Sequence, residues 1–171
     1  MSSCSVYGEY GVGLSTITAF REYGCDIIGV DTSQEWIEDL TAGGVQLEHA
    51  RVRIDWVDLG PVGAWGRPIS YEKAEYFSDY TGSIWKYEQL PDLVLIDGRF
   101  RVACFLDCLM RGKPGTYLLF DDYVERPPYH VVEEVVAPLQ KTTRQALFKI
   151  PRALDFIAIH RMYERFLMVM D

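Results

Sequence analysis

Basic excess, membrane-length apolar runs and zinc-type cysteine spacing are all missing from this chain. Each absence removes a class of function. Acidic residues outnumber basic ones, 25 to 17, and the net charge is −8. That balance lacks the electrostatic footprint of a nucleic-acid binder, so DNA and RNA are not expected partners. No apolar run approaches membrane-spanning length, and the N-terminus has no signal-peptide pattern. A cytoplasmic location with no membrane partner is the expectation. The four cysteines, Cys4, Cys25, Cys104 and Cys108, form no CxxC, and no histidine lies at zinc spacing from them. They read as small buried hydrophobes. Cys104 and Cys108 share a helix face, which leaves a metal or redox pair as the alternative. Repeats and low-complexity segments are absent too.

What remains is a globular pattern. Apolar residues make up 49% of 171 positions, enough for a full core in a single domain spanning 1–171. Strand-like and helix-like segments alternate. Strands are predicted over 5–10, 26–30, 51–57, 93–96, 116–120, 146–150 and 166–170. Helices are predicted over 14–23, from Thr32 to about Leu40 with Gly43-Gly44 as its stop, over 101–111, over 129–140 with Pro138 distorting its end, and over 152–163. Leu93-Val94-Leu95-Ile96 is apolar throughout, as a strand buried on both faces should be. The fold class is α/β: a Rossmann-like, seven-stranded, mostly parallel sheet with helices on both faces.

The chemistry concentrates at Glu9-Tyr10-Gly11-Val12-Gly13-Leu14-Ser15-Thr16. An acidic strand end leads into a glycine turn and a helix start, where backbone N–H groups approach a ligand closely. Asp31 follows at the end of the next strand, where an acid can accept both hydroxyls of a ribose. Together they predict a nucleoside-cofactor site. The dinucleotide fingerprint wants Gly or Ala at its sixth position, and Thr16 stands there, which disfavours an NAD-type oxidoreductase. S-adenosylmethionine (SAM) enzymes instead place an acid two residues before the first glycine, as Glu9 is here. An acidic turn suits an ammonium better than a phosphate. Glu9, Gly11, Gly13, Ser15, Asp31 and Asp97 are the expected cofactor-binding residues.

Residues 58–91 form a long irregular region rich in glycine, proline and aromatics, including Trp65, Tyr71, Tyr76, Phe77, Tyr80, Trp85 and Tyr87. A lid or substrate-binding insertion with one short helix near 71–80 is one reading. A cover over the sheet edge is the other. At the strand ends, Asp58, Asp97, Asp121 and Asp122 should surround the same crevice as Gly11 and Asp31. Asp97, Asp121 and Asp122 can converge on a divalent cation such as Mg; alternatively Asp97 caps the Gly98 turn and Asp122 pairs with Arg99 or Arg101. His130 is a candidate general base beside Asp97, or a histidine satisfied by backbone. His49 and His160 read as surface or structural. Trp65, Arg99, Arg101 and Tyr123 are candidate substrate residues, although both arginines can equally pair with nearby acids.

The chain resembles a small bacterial group of class I SAM-dependent methyltransferase-like proteins. The resemblance is carried by residues 9–16, by Val30-Asp31 through Trp36, and by Asp58-Leu59-Gly60-Pro61-Val62-Gly63-Ala64-Trp65-Gly66-Arg67-Pro68. It is also carried by residues 91–101 and by Phe120-Asp121-Asp122-Tyr123 with Arg126-Pro127-Pro128-Tyr129-His130. It implies the class I sheet and SAM binding. It does not imply a particular acceptor. The catechol-type relatives use an Asp after strand four and an Asp-Asn pair after strand five; here that pair is Asp121-Asp122. The usual helices before strand one are lacking, since that strand starts almost at Met1. A partner chain supplies the cover, the site is open, or catalysis is lost. The expected function is methyl transfer to the O or N of a small molecule. A catalytically silent SAM-binding regulatory or assembly module is the alternative. A homo-oligomer, most simply a dimer, or a partner chain is expected to cover the apolar surface left bare.

Overall fold

A computed structural model of the chain describes residues 4–42 and 50–171. Gly43-Gly44 and His49 lie outside the described residues. In order, the elements are β1 (Val6–Tyr10), α1 (Leu14–Arg21), β2 (Asp26–Asp31), α2 (Gln34–Ala42), β3 (Val52–Trp56), α3 (Phe77–Gly82), β4 (Leu93–Ile96), α4 (Arg101–Arg111), β5 (Tyr117–Phe120), β6 (Gln140–Lys141), β7 (Ala146–Lys149) and α5 (Phe156–Phe166).

The described strands form one seven-stranded sheet in the order β3-β2-β1-β4-β5-β7-β6. The first five are parallel to their neighbours. β7 runs antiparallel to β5, and β6 antiparallel to β7. From β1 the chain winds outward to β2 and β3, then returns to β4 on the other side. That reversal opens a crevice at the carboxyl ends of β1 and β4.

The two-residue period of the strands sorts their side chains. Val6, Tyr10, Ile28, Val30, Val94, Ile96, Leu118 and Phe120 share one core with α3, α4 and α5. Tyr7, Ile27, Val52 and Leu95 share the other with α1 and α2. α4 lies between the sheet and α5, so residues 101–109 are buried on every side. Its one buried acid, Asp107, is held through both oxygens by Arg111 Nε at 3.0 and 2.9 Å. Over β5 and β7 the second face is thinly covered: Leu119 and Leu147 are half-buried and Tyr117 is exposed.

Three expectations change. No strand forms over 166–170: α5 carries its apolar stripe Ile159, Met162, Tyr163 onward to Phe166, and Leu167 and Met170 then pack on the core instead of pairing. The seventh strand is the short β6. The expected helix over 129–140 is a 3-10 segment, Pro127–Glu134, because Pro127 and Pro128 start it and Pro138 blocks a longer run. In the aromatic region, Phe77, Tyr80, Ile84 and Trp85 are core residues, and the exposed aromatics are Trp65, Tyr71 and Tyr76.

Candidate active site

The turn from β1 to α1 is braced from behind. Glu9 is fully buried, and its carboxylate accepts hydrogen bonds from the hydroxyls of Tyr7 (3.1 Å), Ser15 and Thr16. Thr16 Oγ1 also accepts the Gly13 N–H at 2.9 Å. The threonine at the sixth position therefore ties the glycine turn to the strand end. Gly11 must be glycine here: its φ is +83°, and a Cβ would stand 2.7 Å from the Gly98 backbone of the next strand end. Gly13 has extended backbone and open space before it, so any side chain there would enter the crevice.

Burial pushes the Glu9 carboxyl up to about 7 despite its three hydroxyl donors. A raised acid binds its proton more tightly folded than unfolded. Its contribution to stability is full below the ordinary value of 4.5 and is lost as pH rises to about 7. The melting temperature should therefore fall between about pH 5 and pH 7.5 more steeply in the wild type than in Glu9→Gln. Parallel curves for the two proteins would show that Glu9 does not titrate in this window.

In front of the turn lies a cavity of about 560 Å³, within the range of small-ligand sites. Gly11, Val12, Gly13, Leu14 and Ser15 form one wall. Asp31, Thr32 and Trp36 follow from the β2–α2 turn. Asp97, Gly98, Arg99 and Arg101 come from the β4–α4 turn, with Tyr80 beside them. Asp122, Arg126 and Arg144 close the end beyond β5. The three non-glycine residues with left-handed backbone among those described are Trp65, Phe100 and Asp122. Trp65 and Asp122 line the cavity, and Phe100 sits between the lining residues Arg99 and Arg101. Such strain persists where surrounding contacts hold it, and it gathers at functional sites.

Asp31 is buried, and each oxygen has one backbone partner: Oδ2 accepts Val12 N–H at 3.0 Å and Oδ1 accepts Ser33 N–H at 2.8 Å. Burial raises its pKa against these donors. The carboxylate is fixed in place and keeps lone pairs for further donors. Trp36 and Trp65 stack beside it, ring centres 5.9 Å apart and 24° between planes. The loop that carries Trp65 is closed by Gly63 N–H to Arg67 O (2.7 Å) and Ile69 N–H to Pro61 O (3.1 Å). Thr32 Oγ1 donates to Gly66 O at 2.6 Å, docking the loop on the β2–α2 turn. Gly66 has φ +69°, and a Cβ there would run into the Thr32 hydroxyl. If this loop closes on a ligand, amide exchange should slow over 61–69 and stay unchanged over 77–85, where the aromatics are core. Protection spread equally over both stretches would contradict a loop-confined closure.

At the other end, Asp97, Asp121 and Asp122 offer oxygens within 4.8 Å of one another. Their partners are guanidinium groups. Arg101 is buried; it donates to Gly98 O (3.0 Å), Asp121 O (2.9 Å) and Asp97 O (2.9 Å), and it pairs with Asp97 Oδ1 at 2.9 Å. Arg144 pairs with both Asp121 and Asp122, and Gln145 donates to Asp121 at 2.8 Å. Arg126 donates to Asp122 at 3.1 Å. Carboxylates already satisfied by three arginines and a glutamine do not fit a divalent cation, which needs those oxygens for itself. Burial pushes the Asp97 carboxyl up to about 6, against Arg101 and with help from Asp121 and Asp122. Burial works against the charge on Asp121 too, but Gln145 and Arg144 hold it below the ordinary carboxylate value.

Several candidate residues lie elsewhere. Glu9 sits behind the turn rather than in the cavity wall. Asp58 is exposed and paired with Lys73. Tyr123 is fully buried, its hydroxyl donating to Glu133 at 2.8 Å. His130 packs on the Tyr123 ring and hydrogen-bonds the Tyr123 carbonyl at 3.0 Å, away from the cavity. Its 3-10 segment turns in against α4 instead of staying at the strand ends. Gly11, Gly13, Ser15, Asp31, Trp65, Asp97, Arg99, Arg101 and Asp122 all reach the cavity. Trp36 and Arg126, named above only within stretches that carry the resemblance, join them, and so does Arg144. Trp36 stands five residues after Asp31, in the first turn of α2; nothing in the sequence marks Arg144.

No protein-family profile matches the chain, and no curated protein matches it. Solved structures do. A methyltransferase-like protein from Silicibacter pomeroyi is 35% identical, with 96% of this chain and 87% of that chain covered and a TM-score of 0.81. An RNA methyltransferase from Salinibacter ruber, in complex with S-adenosyl-L-homocysteine, is 16% identical over 87% of this chain and 82% of its own, with a TM-score of 0.51. The C-terminal domain of a precorrin-6Y C5,15-methyltransferase from Rhodobacter capsulatus is 14% identical over 86% and 80%, with a TM-score of 0.51. The last two share the fold alone. No helix among the described residues is long and apolar enough to cross a membrane.

Proposed function

The chain belongs to the SAM-dependent methyltransferase-like family, and we propose that it transfers the methyl group of SAM to a small-molecule acceptor held beside Asp97. The observation that carries this reading is the run of cavity from Asp31, across Gly11 and Gly13, to Asp97. It offers in sequence a fixed carboxylate for a ribose, an unobstructed backbone wall, and a second carboxylate at the far end.

SAM supplies a methyl group on a sulfonium, which is already a good leaving group. The chain's own residues therefore mainly position, and in part deprotonate. Asp31 accepts from the two ribose hydroxyls while Val12 and Ser33 hold it still. The Trp36–Trp65 pair offers a flat apolar wall beside that carboxylate, suited to a purine ring. The open face at Gly13 lets the methionine part lie against backbone. Asp97, with one oxygen on Arg101, would take the proton lost by an acceptor oxygen or nitrogen as that atom's lone pair bonds to the methyl carbon and the methyl–sulfur bond breaks, its electron pair leaving with S-adenosylhomocysteine. A carboxyl near 6 is mostly ionised at neutral pH and still basic enough to accept that proton.

No step here runs through a metal, given the arginine partners of Asp97, Asp121 and Asp122. An NAD-type reading is opposed by Thr16, which is fully buried in the Glu9 brace where the dinucleotide pattern needs a small residue for close packing. The test is a mass-shift screen of small acceptors incubated with SAM and the protein. A gain of one methyl that requires both supports transfer. S-adenosylhomocysteine binding with no transfer to any acceptor would support the silent SAM-binding module instead.

A further inference from the structure

Asp122 is the meeting point of three guanidinium groups: Arg144 Nε at 2.9 Å, Arg126 Nη2 at 3.1 Å and Arg101 Nη1 at 3.4 Å. Its backbone is held at φ +52°, an uncommon conformation for any residue but glycine. The three arginines differ. Arg101 is buried, and its donors are spent on strand-end carbonyls and Asp97. Arg126 and Arg144 have side chains 47% and 59% exposed and line the cavity.

Each of these two is held by its inner edge. Arg126 donates through Nη1 to the Tyr129 hydroxyl at 3.1 Å and through Nη2 to Asp122, which leaves Nε without an acceptor among the described residues. Its guanidinium also lies over the Tyr129 ring. Arg144 uses Nε and Nη2 on Asp122 and Asp121, which leaves Nη1. A third cation, Arg99, lines the same cavity with its Nε buried and without an acceptor. A buried unsatisfied guanidinium N–H is costly unless a ligand completes it.

Arg99, Arg101, Arg126 and Arg144 stand against four carboxylates, Asp97, Asp121, Asp122 and Asp171. Asp171 accepts Arg101 N–H through Oδ1 at 3.1 Å and Arg99 Nη1 through its backbone carbonyl at 2.8 Å. What this wall offers an anion is its unspent guanidinium N–H groups, in a chain of net charge −8. Arg126, after β5, and Arg144, in the β6–β7 turn, lie beyond Asp97 as counted from the ribose carboxylate on β2. Building on the methyl-transfer reading, we infer that the acceptor is an anion whose carboxylate or phosphate is taken by Arg126 and Arg144, with its methyl-accepting atom toward Asp97. Planar guanidinium groups already oriented by Asp122 suit a two-oxygen anion, because little side-chain freedom is left to lose on binding.

The test titrates inorganic phosphate, and separately malonate, into the protein saturated with S-adenosylhomocysteine, and follows the arginine Nε–H signals by NMR. At least one of the two anions should bind and shift the Arg126 and Arg144 signals. Its affinity should fall about tenfold or more in Arg126→Gln and in Arg144→Gln, the scale of a lost charge-assisted hydrogen bond. The preferred anion tells phosphate from carboxylate. Arg126→Gln guards against the case in which Arg144→Gln disturbs Asp121.

Affinities for S-adenosylhomocysteine and for 5′-methylthioadenosine, which lacks the amino-acid part, should be unchanged in both variants. Binding of neither anion, or equal anion affinity in wild type and variants, would overturn the inference. So would weaker S-adenosylhomocysteine binding with 5′-methylthioadenosine binding intact, which would give the arginines to the cofactor's own carboxylate. If S-adenosylhomocysteine fails to bind the wild type, the methyl-transfer reading falls, and phosphate and malonate titrations of the unloaded protein still decide the anion site.

Discussion

Asp31→Ala should weaken binding of SAM or S-adenosylhomocysteine by roughly 1.5–3 kcal/mol, about ten- to hundredfold. The size follows from what the carboxylate does twice over. It accepts Val12 and Ser33 N–H groups at 3.0 and 2.8 Å, which fixes the glycine turn against the β2–α2 turn. It also presents its remaining lone pairs to the cavity. Alanine removes both roles. Because the two N–H groups would then lack partners, thermal stability must be measured beside affinity, and Asp31→Asn serves as the near-isosteric companion. Calorimetry reads the affinity. Unchanged binding in a folded Asp31→Ala protein would remove Asp31 from the cofactor site.

Asp97→Asn should lower the rate of methyl transfer by about 10²–10⁴, the range for a lost general base. S-adenosylhomocysteine binding should change far less, because only the proton-accepting oxygen is affected. The wild-type rate should rise with pH through about 6, since burial holds the Asp97 proton on to that value and the base works only once the proton has left. Asparagine can still accept from Arg101 Nη2, so the Arg101 contacts to Gly98, Asp97 and Asp121 carbonyls should survive. The rate is read with whichever acceptor gains a methyl group in the mass-shift screen. A variant as fast as the wild type, or a rate flat between about pH 5 and pH 7, would show that the acceptor loses its proton elsewhere.

How legible the chain was depends on the range of the contacts involved. Leu93-Val94-Leu95-Ile96 announces a strand buried on both sides, and it is β4, with Val94 and Ile96 in one core and Leu93 and Leu95 against the other. Gly11 and Asp31 are readable because local chain geometry demands them: a left-handed turn in one case, a strand end in the other. The apolar tail after α5 misleads, since Leu167 and Met170 satisfy a core as well as a strand would. Phe77, Tyr80 and Trp85 carry the same sequence signal as Trp65, yet the first three are buried and Trp65 stands in the open. Only the path of the chain separates them.

The same limit governs the site. Thr16 looks like a departure from a dinucleotide pattern, and its structural task, linking Gly13 to Glu9, appears only once both are in place. His130 follows β5 closely in sequence, but two prolines open a 3-10 segment that carries it onto Tyr123. Arg144 sits in a short turn between β6 and β7 with no pattern around it. The antiparallel hairpin delivers it to Asp121 and Asp122 from more than twenty residues away in sequence. Long-range pairings of this kind leave no period and no motif to read.

Calorimetric titration of the wild-type protein with S-adenosylhomocysteine, and in parallel with NAD, tests the central claim most directly. The expected result is saturable binding of S-adenosylhomocysteine at one site per chain, with no heat from NAD at the same concentrations. Binding of NAD in its place, or of neither, would contradict a SAM site built on Gly11, Gly13 and Asp31.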